Sequence, residues 1–356
     1  REMRNILLKS KKVAAFRGTS DTEVLLESIE AYGVMETIKH CKGMFAIALY
    51  DKKTGRLTLI RDRVGEKPLY YGFVNGHFVF ASDIGSICVL DDFNNPIDTK
   101  VLQLYFIHGY IPAPYSIYQN IYKLDAGCML ELDAPYKEPK IQAYWSVREV
   151  AKYGQTHLFQ GSRQEAADEL ERLLKASIKE QMVADVPVGA FLSAGIDSST
   201  IVALMQAQSS QKVRSFTIGM EDPEYNEAVY AKEIAQHLGT EHTELYITAK
   251  DAKAVIPKLS WIFGEPFADS SQIPTYLVSK MTREHVTVSL SGDAGDELFC
   301  GYGSYASINR IWGKMKSYPY GIRKLASRFL VGNPLIGKNQ LLQTKAYLLG
   351  AKSPDH

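Results

Sequence analysis

Residues 187–205, PVGAFLSAGIDSSTIVALM, run from an apolar stretch through a cluster of small and hydroxylated residues around one aspartate into a second apolar run with helical spacing. The pattern reads as strand, tight turn and helix. Ser193 closes the strand, and Ala194 and Gly195 form a turn whose backbone can approach a ligand closely. Asp197, Ser198 and Ser199 open a helix whose first N–H groups have no intrahelical partner and carry partial positive charge. Such a turn suits an anion. Asp197 fits an anion site when a divalent cation bridges it to phosphate oxygens, as Mg2+ does with one or two carboxylates. The same residues also make an ordinary helix cap, and this stretch alone leaves both readings open.

The surrounding texture supports a ligand site. From residue 163 the chain alternates: helix 163–182, strand 188–192, helix 197–208, strand 213–219, helices 225–238, 251–263 and 272–281, and strand 285–290. This succession predicts a mostly parallel sheet covered by helices on both faces, with ligands bound beyond the carboxyl ends of its strands. A second strand end falls in VTVSLSGDAGDELFCGY, residues 286–302, where Asp293, Asp296 and Glu297 stand beside Gly292 and Gly295. Asp296 can complete a metal site with Asp197. Between the two loops, GEPFADSSQIP (264–274) offers Glu265, Asp269, Ser270 and Ser271 either as substrate contacts or as a plain loop with a helix cap.

Before Trp145 strands dominate. GMFAIALYD (43–51), RLTLIRDR (56–63), PLYYGFVNGHFVFAS (68–82) and CMLELD (128–133) alternate apolar and polar residues between turn signals. Asn75-Gly76 predicts a hairpin turn, because both residues tolerate positive φ. SDTEVLLESIEAYG predicts a helix opened by a Ser20–Glu23 capping box and stopped by Gly33. The Pro- and Tyr-rich stretch 106–124 reads as a packed aromatic connection. RDRVGEKPLYY, with Arg61, Asp62 and Glu66, reads as a structural hairpin.

Composition narrows the function classes. With 356 residues, 46% hydrophobic and 23% charged, the chain is globular and long enough for two domains. A net charge of +1 provides no long-range attraction to nucleic acid or an anionic membrane, so neither is expected as a partner. No apolar run approaches the roughly 20 residues that span a bilayer. Cys41, Cys88, Cys128 and Cys300 lie far apart, which fits reduced thiols in a cytoplasmic protein. The chain opens inside an amphipathic helix and stops without completing an element, so it is expected to be a piece of something longer.

Together PVGAFLSAGIDSS, SFTIGMEDPEYNEAVYAKEIAQHLGTEH, GEPFADSS and LSGDAGDELFCGY resemble the synthetase domain of glutamine-dependent asparagine synthetases, a PP-loop ATP pyrophosphatase fold. SDTEVLLESIEAYG, KGMFAIALYD and RDRVGEKPLYYG resemble the second half of the class II N-terminal-nucleophile glutaminase domain that precedes it. The resemblance covers nearly the whole chain in order. It implies an α/β architecture in which part of a layered α+β glutaminase domain (1–146) and a linker (147–162) precede a PP-loop domain with a mostly parallel sheet (163–356).

The implied reaction has two stages. Glutamine is hydrolysed in the first domain and ammonia passes through a tunnel. In the second, ATP adenylates the side-chain carboxylate of aspartate, and ammonia attacks to give asparagine, AMP and pyrophosphate. The family pattern places pyrophosphate on Ser193, Gly195, Asp197, Ser198 and Ser199, and Mg2+ on Asp197 and Asp296. It places adenosine beside Leu192, Ile218, Ser291 and Gly292, and gives Asp293 a catalytic role in orienting substrate or assisting ammonia. Asp21 matches the aspartate that holds the α-amino group of glutamine, and a homodimer is the association state the family suggests.

Departures from the pattern matter. Ala194, Ala294 and Cys300 stand where the family carries glycine, and Asp293 stands where it often carries Glu. A methyl at a positive-φ position costs about 1 kcal/mol, whereas at negative φ it is harmless. The family's nucleophilic N-terminal cysteine would precede Arg1, so this stretch alone is expected to lack glutaminase activity. Two further readings stay open: amidation of another carboxylate, such as a sugar acid of a surface polysaccharide, and a non-catalytic nucleotide-binding remnant.

Overall fold

The computed structural model describes residues 2–133, 138–221, 226–331 and 349. The start of the helix expected at 225, and residues 222–225 of its motif, lie outside these. The chain divides into two compact units. Residues 1–166 together with 249–273 form the first, and residues 167–248 together with 274–356 form the second.

The first unit opens with helices α1 (Glu2–Lys9), α2 (Asp21–Tyr32) and α3 (Val34–His40). Strands β1 (Ala46–Asp51), β2 (Arg56–Arg61), β3 (Tyr70–Val74) and β4 (His77–Ala81) follow, then α4 (Ile84–Cys88), α5 (Thr99–His108), β5 (Ile121–Lys123), β6 (Cys128–Leu132) and β7 (Lys140–Ala143). Two antiparallel sheets result, ordered β1-β2-β6-β7 and β4-β3-β5. On β2, Leu59 packs with Leu69, Leu124 and Leu130, while its neighbour Ile60 packs with Ile38 and Met129. Successive side chains of a strand point to opposite faces, so apolar layers cover both sides of this sheet. Burial of the size seen at Leu59 and Ile60 stabilises by about 1.5–3 kcal/mol per side chain. The β3–β4 hairpin turns at Asn75 (φ 46°) and Gly76 (φ 79°), the paired positive φ its sequence predicts.

At the start of α2 the Ser20 side chain accepts from the Thr22 N–H, as an N-cap does. Glu23, however, reaches past Ser20 to accept from the N–H groups of Arg17 and Gly18 at 2.6 and 2.9 Å. The expected reciprocal capping box is thus replaced by a carboxylate that ties down the preceding loop. Within the stretch read as a linker, α6 spans Val147–Thr156, and α7 (Arg163–Gln181) then crosses from the first unit into the second.

The second unit holds β8 (Val188–Phe191), α8 (Ile196–Ala207), β9 (Arg214–Met220), α9 (Ala228–Leu238) and β10 (Glu241–Ile247). The excursion into the first unit carries α10 (Ala249–Val255), a 3-10 turn over Ile256–Lys258 and α11 (Leu259–Phe263). Pro257 has no N–H to continue a helix, which breaks the single helix expected over 251–263. The chain continues with α12 (Gln272–Arg283), β11 (Val288–Leu290), α13 (Gly295–Phe299), α14 (Gly303–Met315) and α15 (Tyr320–Val331).

The four strands β10-β9-β8-β11 form one parallel sheet. Helices cover both faces: Val202, Met205, Ala231 and Ala235 of α8 and α9 pack with Ala190 and Leu290, while Met281 of α12 packs with Phe216 on the other side. Strand β10 is absent from the expected succession of elements. Its sequence EHTELYI sits at the sheet edge, where an alternating, half-polar strand suffices, so its apolar signal is weak. Successive strands β8, β9 and β10 build outward in one direction, and β11 then lands on the opposite side of β8. The crevice between the carboxyl ends of β8 and β11 is therefore the topological switch point, where ligands of such sheets bind.

Candidate active site

A cavity of about 480 Å3 opens at that switch point. Its wall includes Leu192, Ser193, Gly195, Asp197 and Ser198 from the turn after β8, and Ser291, Gly292, Asp293 and Asp296 from the turn after β11. Ile218 of β9 also contributes. Nine of the ten residues read from sequence as nucleotide-binding or catalytic in this domain, together with the second metal residue Asp296, thus share one cavity. Ser199 is not in its wall; its hydroxyl donates to the Gly195 carbonyl at 2.7 Å within the first turn of α8. Asp21 belongs to the other unit, at the N-terminus of α2.

Local hydrogen bonds hold the first turn in shape. The Leu192 N–H donates to the Phe216 carbonyl at 2.8 Å, and Leu192 is 2% exposed. The Ser193 N–H donates to Ser198 Oγ at 3.1 Å, and the Gly195 N–H donates to Ser193 Oγ at the same distance. The two serine hydroxyls lie 2.8 Å apart. No side chain caps α8, so its leading N–H groups have no side-chain acceptor, and Gly195, Asp197 and Ser198 at that helix start line the cavity. Gly195 has φ −72°, and Ala194 is not among the positive-φ residues, so its methyl costs nothing.

The second loop behaves differently. Ala294 (φ 71°) and Cys300 (φ 58°) both adopt the left-handed conformation that favours glycine, and they flank α13. Each of these departures therefore stores about 1 kcal/mol of backbone strain. Glycine is retained where the two loops touch. A Cβ on Gly292 would lie 2.7 Å from the Ser198 nitrogen and 2.9 Å from the Asp197 carbonyl carbon, and one on Gly295 would collide with the Asp197 carboxylate. Ser291 Oγ donates to Asp293 Oδ2 at 2.8 Å and so orients that carboxylate.

Among the described residues the carboxylates of Asp197 and Asp296 have no hydrogen-bond or ion-pair partner within the protein, although both line the cavity. Two partnerless carboxylates beside a helix N-terminus form the donor set expected for a divalent cation shared with phosphate oxygens. No cluster of three or more acidic, His or Cys ligands occurs among the described residues, so the remaining ligands of such an ion would come from substrate and water.

Sequence reading missed Thr217, Glu227, Pro274, Thr275 and Val278, which also line the cavity. Thr217 and Glu227 lie within the quoted stretch 215–242 and Pro274 ends the stretch 264–274, but neither pattern singles them out as cavity residues. Glu265 is engaged elsewhere, since its carboxylate pairs with Lys123 inside the first unit, which removes it from the candidate substrate contacts. Asp269 accepts from the Ser271 N–H at 2.8 Å, the bond of a loop end leading into α12. The Arg61–Glu66 turn is structural, as its sequence suggests. Asp62, 0% exposed, accepts from the N–H groups of Glu66 and Lys67, and the Arg61 guanidinium donates to three backbone carbonyls.

Comparison with known proteins gives the family. An asparagine synthase family model matches residues 169–352, and a glutamine amidotransferase domain model matches residues 1–145. A putative glutamine-hydrolyzing asparagine synthetase of Methanocaldococcus jannaschii is 37% identical, over 94% of this chain and 64% of its own length. Another, from Mycobacterium bovis, is 31% identical over 97% of this chain and 54% of its own. The chain thus spans between half and two thirds of the length of these relatives. Among solved structures, a glutamine-dependent NAD+ synthetase from Acinetobacter baumannii matches over 80% of this chain and 67% of its own, with 15% identity and a TM-score of 0.31. No helix among the described residues is long and apolar enough to cross a membrane. The matched family model, spanning the switch-point cavity and more than half of the sequence, shows that this chain belongs to the asparagine synthase family.

Proposed function

We propose that the cavity between β8 and β11 binds ATP, and that the protein is a glutamine-hydrolysing asparagine synthetase acting on aspartate. The observation that carries this reading is the convergence of two strand-end loops on one cavity, each bringing one partnerless carboxylate, Asp197 and Asp296, beside an uncapped helix N-terminus. Loss of oxide from a carboxylate is prohibitive, so transfer of AMP to it supplies a good leaving group. The departing pyrophosphate gains negative charge, which the leading N–H groups of α8 and the hydroxyls of Ser193 and Ser198 stabilise. Asp197 and Asp296 would hold Mg2+, which when bound offsets that charge further. Leu192 and Ile218 provide the apolar wall for the base. Asp293, which lines the cavity and accepts a hydrogen bond from Ser291, would receive a proton from attacking ammonia.

In the same reading, residues 1–146 are the glutaminase part, with Asp21 holding the α-amino group of glutamine, and 163–356 the synthetase part beyond a 147–162 linker. The enzyme works in the cytoplasm, where ATP and glutamine are supplied, as a homodimer. The test is carboxylate-dependent exchange of labelled pyrophosphate into ATP by the full-length protein with Mg2+. Exchange is expected with aspartate and lost in Asp197→Ala. Wild-type protein that binds ATP but exchanges only with another carboxylate would overturn the acceptor, and failure to bind ATP would overturn the enzyme reading.

A further inference from the structure

Two residues of the switch-point cavity, Thr217 on β9 and Glu227 just before α9, carry hydrogen-bonding groups that no described residue engages. Thr217 is 5% exposed. The hydroxyls of Thr37 and Thr282 are also unpaired but sealed from water, whereas that of Thr217 keeps an opening, and Thr217 lines the cavity. A buried hydroxyl without a partner is unfavourable until something entering the cavity bonds to it. Glu227 is exposed and stands at the start of α9, where a carboxylate ordinarily caps the helix. That task falls instead to Asn226, whose Oδ1 accepts from the Ala228 N–H at 3.2 Å, and the Glu227 side chain makes no cap bond. The helix start is itself held firmly: Ala228 is 0% exposed, and a Cβ on Gly219 of β9 would lie 3.0 Å from its Cβ.

The sheet order puts these two groups at one end of the site. The uncapped start of α8 and the carboxylates of Asp197, Asp293 and Asp296 follow β8 and β11, whereas Thr217 and Glu227 belong to β9 and the turn after it, on the opposite side of β8. A nucleotide with its phosphates at the α8 start and its base against Leu192 and Ile218 therefore directs the outer edge of the base toward β9 and Glu227. A carboxylate only accepts hydrogen bonds, so the edge it matches carries an N–H donor, as the 6-amino group of adenine does. A 6-oxo purine presents an acceptor at that position, and two acceptors facing one another are left unpaired. The Thr217 hydroxyl donates or accepts as the base requires, so it favours binding without choosing between the two.

We infer that Glu227 selects the base of the nucleotide by accepting from the exocyclic amine of adenine, and that the Thr217 hydroxyl bonds the same nucleoside end. This rests on the proposed reading of the cavity as the ATP site. The test measures binding of MgATP, MgITP (the 6-oxo analogue), Mg-2′-deoxyATP and Mg-pyrophosphate to the full-length protein and two variants. Wild type is expected to prefer ATP over ITP by roughly tenfold or more, the effect of one hydrogen bond to a charged group. Glu227→Gln, whose amide can donate to a 6-oxo group, should shrink that ratio about tenfold and leave pyrophosphate binding unchanged. Thr217→Val keeps shape and removes the hydroxyl, so it should weaken ATP and ITP alike, about fivefold, again sparing pyrophosphate. A wild-type ATP-to-ITP ratio in Glu227→Gln, with MgATP still bound, would overturn the inference. So would a change confined to the ratio of ATP to 2′-deoxyATP, which would place Glu227 on the ribose. Wild-type protein that binds pyrophosphate but no nucleotide would instead overturn the ATP reading on which the inference stands.

Discussion

Replacing Gly292 by alanine tests the claim that the two loops meet closely enough to build one site. The added Cβ would sit 2.7 Å from the Ser198 nitrogen and 3.1 Å from the Asp197 Cβ, whereas ordinary contact begins at 3.4 Å. The obstacle is backbone at the first turn of α8, so that turn must retreat by about 0.7 Å or the 291–296 loop must move away. Overpacking of this kind costs about 1–3 kcal/mol of stability. Misplacing reacting groups by about 1 Å lowers rate by about a hundredfold. Denaturant titration and the pyrophosphate-exchange assay on the full-length protein measure the two effects. Gly313→Ala is the control with opposite sign: Gly313 lies inside α14 with nothing within 4 Å, so alanine there should stabilise by up to about 1 kcal/mol and leave exchange unchanged. If Gly292→Ala behaved like Gly313→Ala, the close approach of the loops, and the site built on it, would be refuted.

Two other outcomes follow from the backbone and from charge. Ala294→Gly should stabilise by about 1 kcal/mol, because Ala294 is held at φ 71°, while Ala194→Gly should destabilise by about 0.4–1 kcal/mol, because that position needs no positive φ; thermal denaturation of both checks the contrast. Glu244 has its carboxyl held below the ordinary glutamate range, chiefly by its bond to the Lys232 ammonium at 2.9 Å. A depressed folded value means the contribution is fully present above the ordinary value of 4.5 and is lost as pH falls through the folded one, so Lys232→Met should flatten the acid limb of the stability curve below about pH 4.5, and an unchanged limb would refute the pairing.

Much of the site was legible because its signals are local. A run of small residues between an apolar strand and a helix marks a turn at 193–199 whatever surrounds it, and the same holds for 291–296. Ser199 shows the limit of such reading. It belongs to the motif, yet its hydroxyl is consumed by the Gly195 carbonyl, a bond that depends on where the helix begins. Glu227 and Pro274 lie within quoted stretches, 215–242 and 264–274, but which of their side chains, with that of Thr275, line the cavity is decided by the fold. Substitution of glycine had no uniform meaning either: Ala194 and Ala294 look alike in sequence, but φ separates a harmless change from a strained one.

The sequence by itself determined what a few neighbouring residues can settle among themselves: the positive-φ turn at Asn75-Gly76, the Ser20 cap, the small-residue turn before α8 and the alternation of strand and helix. Sterics and capping act over one or two turns of chain, so these features need no knowledge of the fold. Tertiary structure alone decided that β11 pairs with β8, which brings Asp296 to Asp197, and that EHTELYI becomes an edge strand. It also decided that Glu265 meets the Ile117 N–H across 148 residues of sequence. Those outcomes depend on which apolar faces are buried together, a balance summed over the whole chain, and no local window contains it.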